Sequence, residues 1–365
     1  MRILHLAKRH YTNKDALTER FGRVYQLPRH WAASGARTSL ALLDYRSLNE
    51  KSLDSDGFSV RSLPALDPRS PFRLCAMATE FRPDIVIASG DCFIGLAGLY
   101  LARRNNARFV LDAYDDYSTF GGYRAFLGWN AFGYLLDNAD AVLYASRSLA
   151  DRHSAKSPWL LAPNGVDATH FHPISTSAAR SNIGLDVDDR ILVGYLGSME
   201  PDRGVDDLIA AVGMLHEEDQ RIHLLLCGTL RSDMKPLPTW VDYCGVVPHA
   251  SVVNYINACD VVALPYRRSQ LMDMGASCKI AEYLLCQRPI AATRTPNFLQ
   301  NFPEQASQLD AVLAMPGDVD ELARTIQRQL DDPVMAQSPS DMTWQQIAER
   351  LMTNFQQLFG QRQDR

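Results

Sequence analysis

Short apolar runs alternate along this chain with longer amphipathic stretches. "RILHLA" at the start reads as a buried strand, followed by the polar segment "KRHYTNKDALTERFGR" and the helix-like "VYQLPRHWAASG". Pro28 inside that helix predicts a kink or a late start, because proline lacks the N–H donor. "TSLALLDY", "FSVRSLP", "DIVIASG", "RFVLDAYD" and "AVLYAS" read as further strands, and "WLLAPNGVD" closes this half. After residue 190 the rhythm restarts. "ILVGYLGS", "IHLLLCG", "VVALPY" and "RPIAAT" read as strands, with "GVDDLIAAVGMLHE" and "SVVNYINAC" as helices between them. "VDELARTIQRQL" and "TWQQIAERLMTNFQQLF" repeat apolar positions at helical period.

Strand, helix, strand alternation predicts parallel sheets covered on both faces. The stretch "NGVDATHFHPISTSAARSNIGLDVDD" is rich in turn formers and weakly periodic, so residues 169–190 read as a linker. The expected organisation is α/β, with two doubly wound Rossmann-like domains over 1–168 and 191–343 and a closing helix over 344–365. Ligands of such sheets bind at the C-terminal strand ends. With two domains, the expected site is the cleft where they face each other.

Composition narrows the function classes. A chain of 365 residues, 46% hydrophobic and 22% charged, has globular composition and room for two cores. A formal net charge of -5 supplies no basic field for nucleic acid. The seven cysteines are odd in number, form no Cys-x-x-Cys pair and lie mostly in apolar runs, which fits a reducing compartment. "MRILHLAKRH" lacks the apolar core of a signal peptide, and no run reaches the ~18 apolar residues that span a bilayer. A cytoplasmic location is expected, with peripheral membrane contact left open.

Two stretches carry candidate chemistry. In "GYLGSMEPDRGVDDLIAA", residues 194–211, a strand ends at Gly197 and Ser198 and a new helix begins after Gly204. Unpaired N–H groups at a helix start favour an anion, and Arg203 beside them can fork onto phosphate oxygens. The bland alternative is a plain strand-to-helix turn with a solvated arginine. In "MGASCKIAEYLLCQRPIAAT", residues 274–293, Lys279 and Glu282 are three apart and share one helix face, while Ile280, Tyr283 and Leu284 fall on another. Alone they read as an exposed ion pair worth ~0.3–0.5 kcal/mol. At the C-terminal edge of a sheet they read instead as a phosphate contact and a contact to vicinal hydroxyls.

Other features divide in the same way. "LDAYDDYSTFGGYR" leaves a strand end, where Asp115 or Asp116 could bind or deprotonate a hydroxyl, or cap a turn. His10 ends the first strand and is either structural or a cleft residue. Phe126, Trp129 and Phe132 in "FGGYRAFLGWNAFGYLL" recur at near-helical spacing, as core packing or as a membrane-facing surface. "DSDG" at 54–57 reads as a surface turn, and no His or Cys cluster has metal spacing.

Taken together, "PNGVD" and "FHP" between 163 and 173, "GYLGSMEPDRGVDDLIAAV", "CGVV" at 244–247, "YINACDVVALPY" and "SCKIAEYLLCQRPIAAT" resemble the retaining, family 4 type of glycosyltransferase with the GT-B fold. The order and spacing match across the C-terminal half, and the N-terminal half matches in pattern. The resemblance implies a nucleotide-diphosphate sugar as donor and a glycan, lipid-linked or small-molecule hydroxyl as acceptor, in cell-surface polysaccharide or glycoconjugate synthesis. Arg203, with the N–H groups of Gly197 and Ser198, would hold the diphosphate, and Lys279 would add a second cation. Glu282 would bind the ribose. Gly275, Ala276, Ser277 and Cys278 would offer backbone N–H groups to phosphate and sugar. Val246 and Val247 would line the base. Glu19, Arg20 and Gly22 in "TERFGR" would line an acceptor pocket. No metal or other cofactor is expected, because the cations replace it, and the closing helix would pack back on the N-terminal domain. One departure stands out. Relatives place a sugar-binding glutamate eight residues before the one matched by Glu282, and here that position is Met274, with Asp273 next to it.

Two other classes remain beside this one. A nucleotide-sugar epimerase or hydrolase shares the layout but needs cleft carboxylates and histidines that the sequence does not assemble. A non-catalytic nucleotide-sugar-binding protein would bind without turnover.

Overall fold

The computed structural model describes every residue except 12, 13, 56, 120–128, 154, 155, 186–188 and 361–365. Two units separate in it, Met1–Gly165 with Asp341–Arg365, and Val166–Ser340. In the first, the strands are β1 (Arg2–Lys8), β2 (His10–Tyr11), β3 (Lys14–Asp15), β4 (Arg37–Asp44), β5 (Lys51–Ser55), β6 (Phe58–Pro64), β7 (Ile85–Ser89), β8 (Arg108–Ala113), β9 (Ala141–Tyr144) and β10 (Trp159–Leu161). The helices between them are α1 (Arg23–Ala33), α2 (Ser70–Phe81), α3 (Cys92–Arg104), α4 (Ala131–Asn138) and α5 (Arg147–Arg152).

The main sheet of this unit has the order β10-β9-β8-β7-β1-β4-β6-β5. β1 runs parallel to both β4 and β7, with Leu4 opposite Ser39 and Val86. Such strands are covered on both faces, and all of Ile85–Ser89 is buried, which explains the unbroken apolar runs in the sequence. β5 is antiparallel to β6 at the edge, exposed throughout and blunted by Lys51 and Asp54. It occupies part of the expected "DSDG" turn, of which Asp56 lies outside the described residues. Pro28 sits inside α1, which runs through it from Arg23 to Ala33. Asp91 caps α3 by accepting from the N–H groups of Phe93 and Ile94.

The last helix, which becomes α14 (Trp344–Phe359), lies in the core of this first unit. Thr343 and Gln346 form a reciprocal capping box at its start. Its stripe Trp344, Ile347, Leu351 and Phe355 packs with Ile3, Leu27, Trp31 and Ile87.

The second unit contains α6 (Thr176–Asn182), β11 (Ile191–Leu196), α7 (Val205–Glu218), β12 (Ile222–Cys227), β13 (Val241–Gly245), α8 (Val252–Ala258) and β14 (Val261–Leu264). It continues with α9 (Gln270–Met274), α10 (Cys278–Leu285), β15 (Ile290–Thr293), α11 (Pro296–Leu299), α12 (Pro303–Gln308), β16 (Leu313–Ala314) and α13 (Val319–Asp331). Its parallel sheet has the order β13-β12-β11-β14-β15-β16.

The described part of the stretch 169–190 folds as part of this unit. Phe171 is buried, Asn257 accepts the Ile174 N–H at 2.9 Å, and the Arg180 guanidinium donates to Asp260 at 2.9 Å. Polar side chains fasten it, so it lacks the apolar period that announces an element in sequence.

Candidate functional site

Strand order reverses between β11 and β14 in the second unit. β12 and β13 lie to one side, β15 and β16 to the other. Such a switch point opens a crevice at the C-terminal strand ends. "GYLGS" exits β11 there, and "LPY" exits β14.

Lys279 reaches this point from the first turn of α10. A Cβ on Gly197 would fall 2.9 Å from its Nζ and closer still to its Cε. With φ at 150°, Gly197 also occupies backbone space that L residues rarely adopt. That backbone calls for glycine, and the lysine lies close against it. Among the described residues, no carboxylate lies within 4.0 Å of the Lys279 ammonium. The expected ion pair with Glu282 does not form.

Arg203 closes the short turn Pro201–Arg203. Its guanidinium stands 5.7 Å from the centroid of the Tyr266 ring, a cation–π distance. Asp202 approaches its Nε only to 4.0 Å, and that buried Nε has no hydrogen-bond partner among the described residues. Asp202 itself accepts the Ser269 hydroxyl at 3.0 Å.

Glu282 follows Lys279 on the half-buried face of α10, while Ile280, Ala281, Tyr283 and Leu284 face the core. Part of its surface is open, yet protein closes round the carboxyl. That burial pushes its pKa up, and the Lys279 ammonium pulls it partly back.

Three tyrosines form the floor, and the apolar reading of the sequence passed over them. Tyr195 donates to the Ser198 carbonyl at 2.8 Å. The Tyr266 and Ser277 hydroxyls are 3.0 Å apart. Tyr283 accepts the Leu196 N–H at 3.1 Å. Burial raises the pKa of both Tyr195 and Tyr283, so they serve as neutral hydrogen-bonding struts. Each sits inside a motif that was singled out, at a position where an aromatic reads as core.

Several backbone donors expected at the site are already engaged. Gly197 N–H donates to the Cys227 carbonyl at 2.7 Å, whereas Ser198 N–H has no partner among the described residues. Gly275 N–H bends back to Met272, at 3.3 Å. Ser277 N–H donates to Asn297 Oδ1 at 3.1 Å, and the same buried side chain donates to the Met272 carbonyl at 2.9 Å. Ala276 and Cys278 complete this loop and are half-buried. The loop is thus a braced support for α10, with fewer open donors than its small residues suggest.

The start of α7 is likewise closed. Gly204, at φ 67°, is pressed against the Pro265 carbonyl. Its first-turn acids are held by arginines, Asp207 by Arg267 at 2.7 Å and Asp206 by Arg231 at 3.1 Å. The attraction for an anion falls on Arg203 rather than on this helix start. Beyond β13, Val246 is 73% exposed and Val247 half-buried. Asp273, next to Met274, is engaged by Arg268 at 2.9 Å.

In the first unit the acceptor-side candidates separate. Asp116 is buried and saturated by Arg152 at 3.0 Å, His153 at 2.8 Å and the Ser118 hydroxyl at 2.5 Å. That makes it a structural ion. Among the described residues, Asp115 has only the Asp116 N–H on its Oδ1, at 2.9 Å, and burial raises its pKa. His10 lies 3.6 Å from Asp44, which Arg9 holds at 2.9 Å. Glu19 pairs with Lys14 at 3.0 Å on the surface. Arg20 is exposed with φ 52°, and Gly22, at φ 74°, precedes α1. Phe132 is core, packed on Tyr117 and His153, while Trp129 is 43% exposed beside Tyr134 and Phe126 lies outside the described residues.

The sequence reading missed a buried chain of polar groups near the ends of β1, β7 and β8. Arg23 makes a two-armed bond to Asp112, at 2.6 and 3.1 Å, and reaches Asn164 at 3.2 Å. The Ser89 hydroxyl donates to Asp112 at 2.6 Å and meets His5 Nε2 at 2.7 Å. Burial pushes His5 down to about 4, so it is neutral at physiological pH. The available signal was Arg23 and Asp112, each a charge beside apolar residues in "GRVYQL" and "RFVLDA".

Among the described residues, no group of three or more His, Cys, Asp or Glu is placed to hold a metal ion, and no helix is long and apolar enough to cross a membrane.

The two parallel-sheet α/β units and this site define the GT-B class, and comparison with known proteins carries the assignment further. Residues 190–332 match the family described as "Glycosyl transferases group 1", and residues 23–165 match the "Glycosyl transferase 4-like domain". A 2-deoxystreptamine glucosyltransferase of Streptomyces kanamyceticus is 26% identical over 220 residues, 58% of this chain and 54% of that protein. The chain thus matches about half the length of that relative. Among solved structures, sucrose-phosphate synthase from Thermosynechococcus elongatus superposes with a TM-score of 0.74 at 20% identity, covering 99% of this chain and 100% of the other. Anabaena HepE in complex with UDP gives 0.64 at 18%, covering 98% and 96%. These two likenesses are of fold. The chain belongs to the group 1 glycosyltransferases, a family of transferase enzymes.

Proposed function

We propose that the protein is a retaining hexosyltransferase that uses a nucleotide-diphosphate sugar. The observation that carries this reading is the pair of cations, Lys279 against Gly197 and Arg203 over Tyr266, that lack close carboxylate partners among the described residues at the switch point of the second sheet. Cations held in place without a close, hydrogen-bonded carboxylate suit a diphosphate. The HepE structures with UDP and UDP-glucose support a UDP-sugar as the first donor to test.

In this reading the bond between the anomeric carbon and the diphosphate oxygen breaks, and its electron pair stays on the phosphate. Arg203 and Lys279 stabilise that charge as it develops, which is where preorganised groups accelerate most. They also take the place of a divalent metal. The acceptor oxygen bonds to the same face of the anomeric carbon, and its proton passes to the departing phosphate. Glu282 accepts the ribose hydroxyls, and Ser198 N–H is the backbone donor left for the diphosphate. Asp115 is the acceptor-side carboxylate with capacity to spare. Met274 gives the transferred sugar no carboxylate, so the donor hexose is held mainly through its diphosphate and ribose. The acceptor is a hydroxyl on a small polyol, glycan or lipid-linked sugar, in line with the aminocyclitol and inositol phosphate acceptors named for relatives.

Calorimetry with UDP, GDP and ADP, followed by product analysis with the matching sugars and a polyol acceptor, tests this reading. Transfer with retention and no loss of rate in EDTA supports it. An epimerised sugar still attached to its nucleotide, or binding without turnover, rejects it for one of the other two classes.

A further inference from the structure

Thiols gather where β12 and β13 end. Cys227 closes β12 and is 1% exposed, while Cys244 in β13 is exposed. The two strands run parallel, with Leu226 opposite Tyr243 and Cys227 opposite Gly245, so Cys244 is the extra residue of a bulge. Cys244 is therefore the chain neighbour of the residue opposite Cys227, across strands ~4.8 Å apart, and a disulfide spans Cα separations of ~4.4–6.8 Å. The bulge thus brings the two thiols together, and each acts on the other: Cys244 pushes the Cys227 thiol up, and Cys227 draws the Cys244 thiol down. Buried Cys259 belongs to packing instead. Its thiol donates to the Tyr255 carbonyl at 3.2 Å, and its Cβ would lie 3.2 Å from a Cβ placed on Gly194.

We propose that Cys227 and Cys244 are a thiol–disulfide site, oxidised by low-molecular-weight disulfides of the glutathione type. Cys244 is the entry thiol. It is the exposed member, and the neighbouring Cys227 favours its thiolate, which is the nucleophile in thiol exchange. That thiolate attacks one sulfur of oxidised glutathione. The S–S bond of the reagent breaks, and one glutathione thiolate leaves with the electron pair. Capping then removes the negative neighbour that held the Cys227 proton. Cys227 loses that proton to water, attacks the Cys244 sulfur and expels the second glutathione. Two protein thiols become one disulfide, and one oxidised glutathione becomes two reduced ones.

The position gives the bond a consequence. Gly245, next in the bulge, accepts the Gly228 N–H at 2.7 Å, and Gly228 is pressed against the Gly197 carbonyl. A Cys227–Cys244 bond would fasten the exit of β13 beside the strand end that Lys279 approaches.

The test treats the whole reduced protein with oxidised glutathione and maps non-reduced peptides by mass spectrometry. A Cys227–Cys244 peptide that disappears with dithiothreitol is expected. Cys227→Ser should stop at glutathionylated Cys244, and Cys244→Ser should leave Cys227 unmodified. Iodoacetamide should label Cys244 roughly tenfold faster than Cys227 in the untreated protein. Wild-type protein that stays glutathionylated at Cys244 without the internal bond overturns the proposal, as does linkage of Cys227 to Cys259. None of these readouts needs a nucleotide sugar, so they stand apart from the donor reading.

Discussion

Arg23 in the first unit and Arg203 in the second each stand by the strand ends of a parallel sheet, yet their surroundings are opposite. Arg23 is fully buried and spends its guanidinium on Asp112 and Asn164, and Asp112 also takes the Ser89 hydroxyl. Arg203 keeps 24% of its side chain exposed, with its nearest carboxylate at 4.0 Å. Among the described residues, Lys279 and Glu282 likewise have no ion pair or hydrogen bond from their side chains. A saturated buried charge is part of the scaffold, and removing it strands its partner. An unsaturated, half-buried charge contributes little to the fold and is left available for a ligand.

The largest effect follows from that contrast. Arg23→Met should lower unfolding free energy by about 3–5 kcal/mol, because it leaves Asp112 buried and charged without its cation. Arg203→Met should cost under ~1 kcal/mol. Urea denaturation of both variants measures the difference. Equal losses would erase the distinction between scaffold charge and site charge.

Function should show the reverse order. Arg203→Ala and Lys279→Ala should each slow sugar transfer ~10²–10³-fold, the range found when one preorganised donor to a developing anion is removed. Both should unfold at nearly the wild-type urea concentration. Steady-state kinetics with a saturating acceptor reads this out, and a variant that keeps full turnover removes that residue from the diphosphate contact.

Within the first unit the same logic separates two adjacent acids. Asp116→Asn should destabilise by ~1–3 kcal/mol, since Arg152 and the Ser118 hydroxyl lose a charged partner. Asp115→Asn should keep the fold and raise KM for the acceptor. If Asp116→Asn alone impairs acceptor use in a protein of unchanged stability, the two roles are exchanged.

How far the sequence carries is clear from these same residues. Parallel strands buried on both faces appear as continuous apolar runs, so the central strands of both sheets were legible. The edge strand β5 was not, because an exposed edge takes polar residues. The stretch 169–190 was misleading for a related reason, since Arg180 and Asn257 hold it by hydrogen bonds that leave no period. At the candidate site, Arg203, Lys279 and Glu282 stand out as charges in apolar contexts. Backbone donors do not show which of them are already spent, and so Gly197 and Ser277 looked open. Tyr195, Tyr266 and Tyr283 looked like core, because a phenol that braces a loop is buried like any other aromatic. Arg23 and Asp112 lie 89 residues apart, and nothing local announces that they meet.

The smallest expected effect probes Glu282, where stability and function should oppose each other. Burial raises its pKa in the folded protein above the usual 4.5. The folded state therefore holds the proton more tightly than the unfolded chain does. Between those two values, stability falls as pH rises, and above the folded value the cost is complete. Glu282→Gln has no charge to desolvate. It should be more stable than wild type at pH 7.5, by up to ~1 kcal/mol, and the difference should vanish toward about pH 3, where both states of the wild type are protonated. The same variant should bind the donor nucleotide more weakly, because a neutral amide is a poorer acceptor for two ribose hydroxyls than a carboxylate. Thermal melts across pH together with nucleotide titrations measure both halves. A variant that is less stable at neutral pH would place Glu282 with Arg23 in the scaffold, and one that gains stability while keeping its affinity would remove the ribose contact.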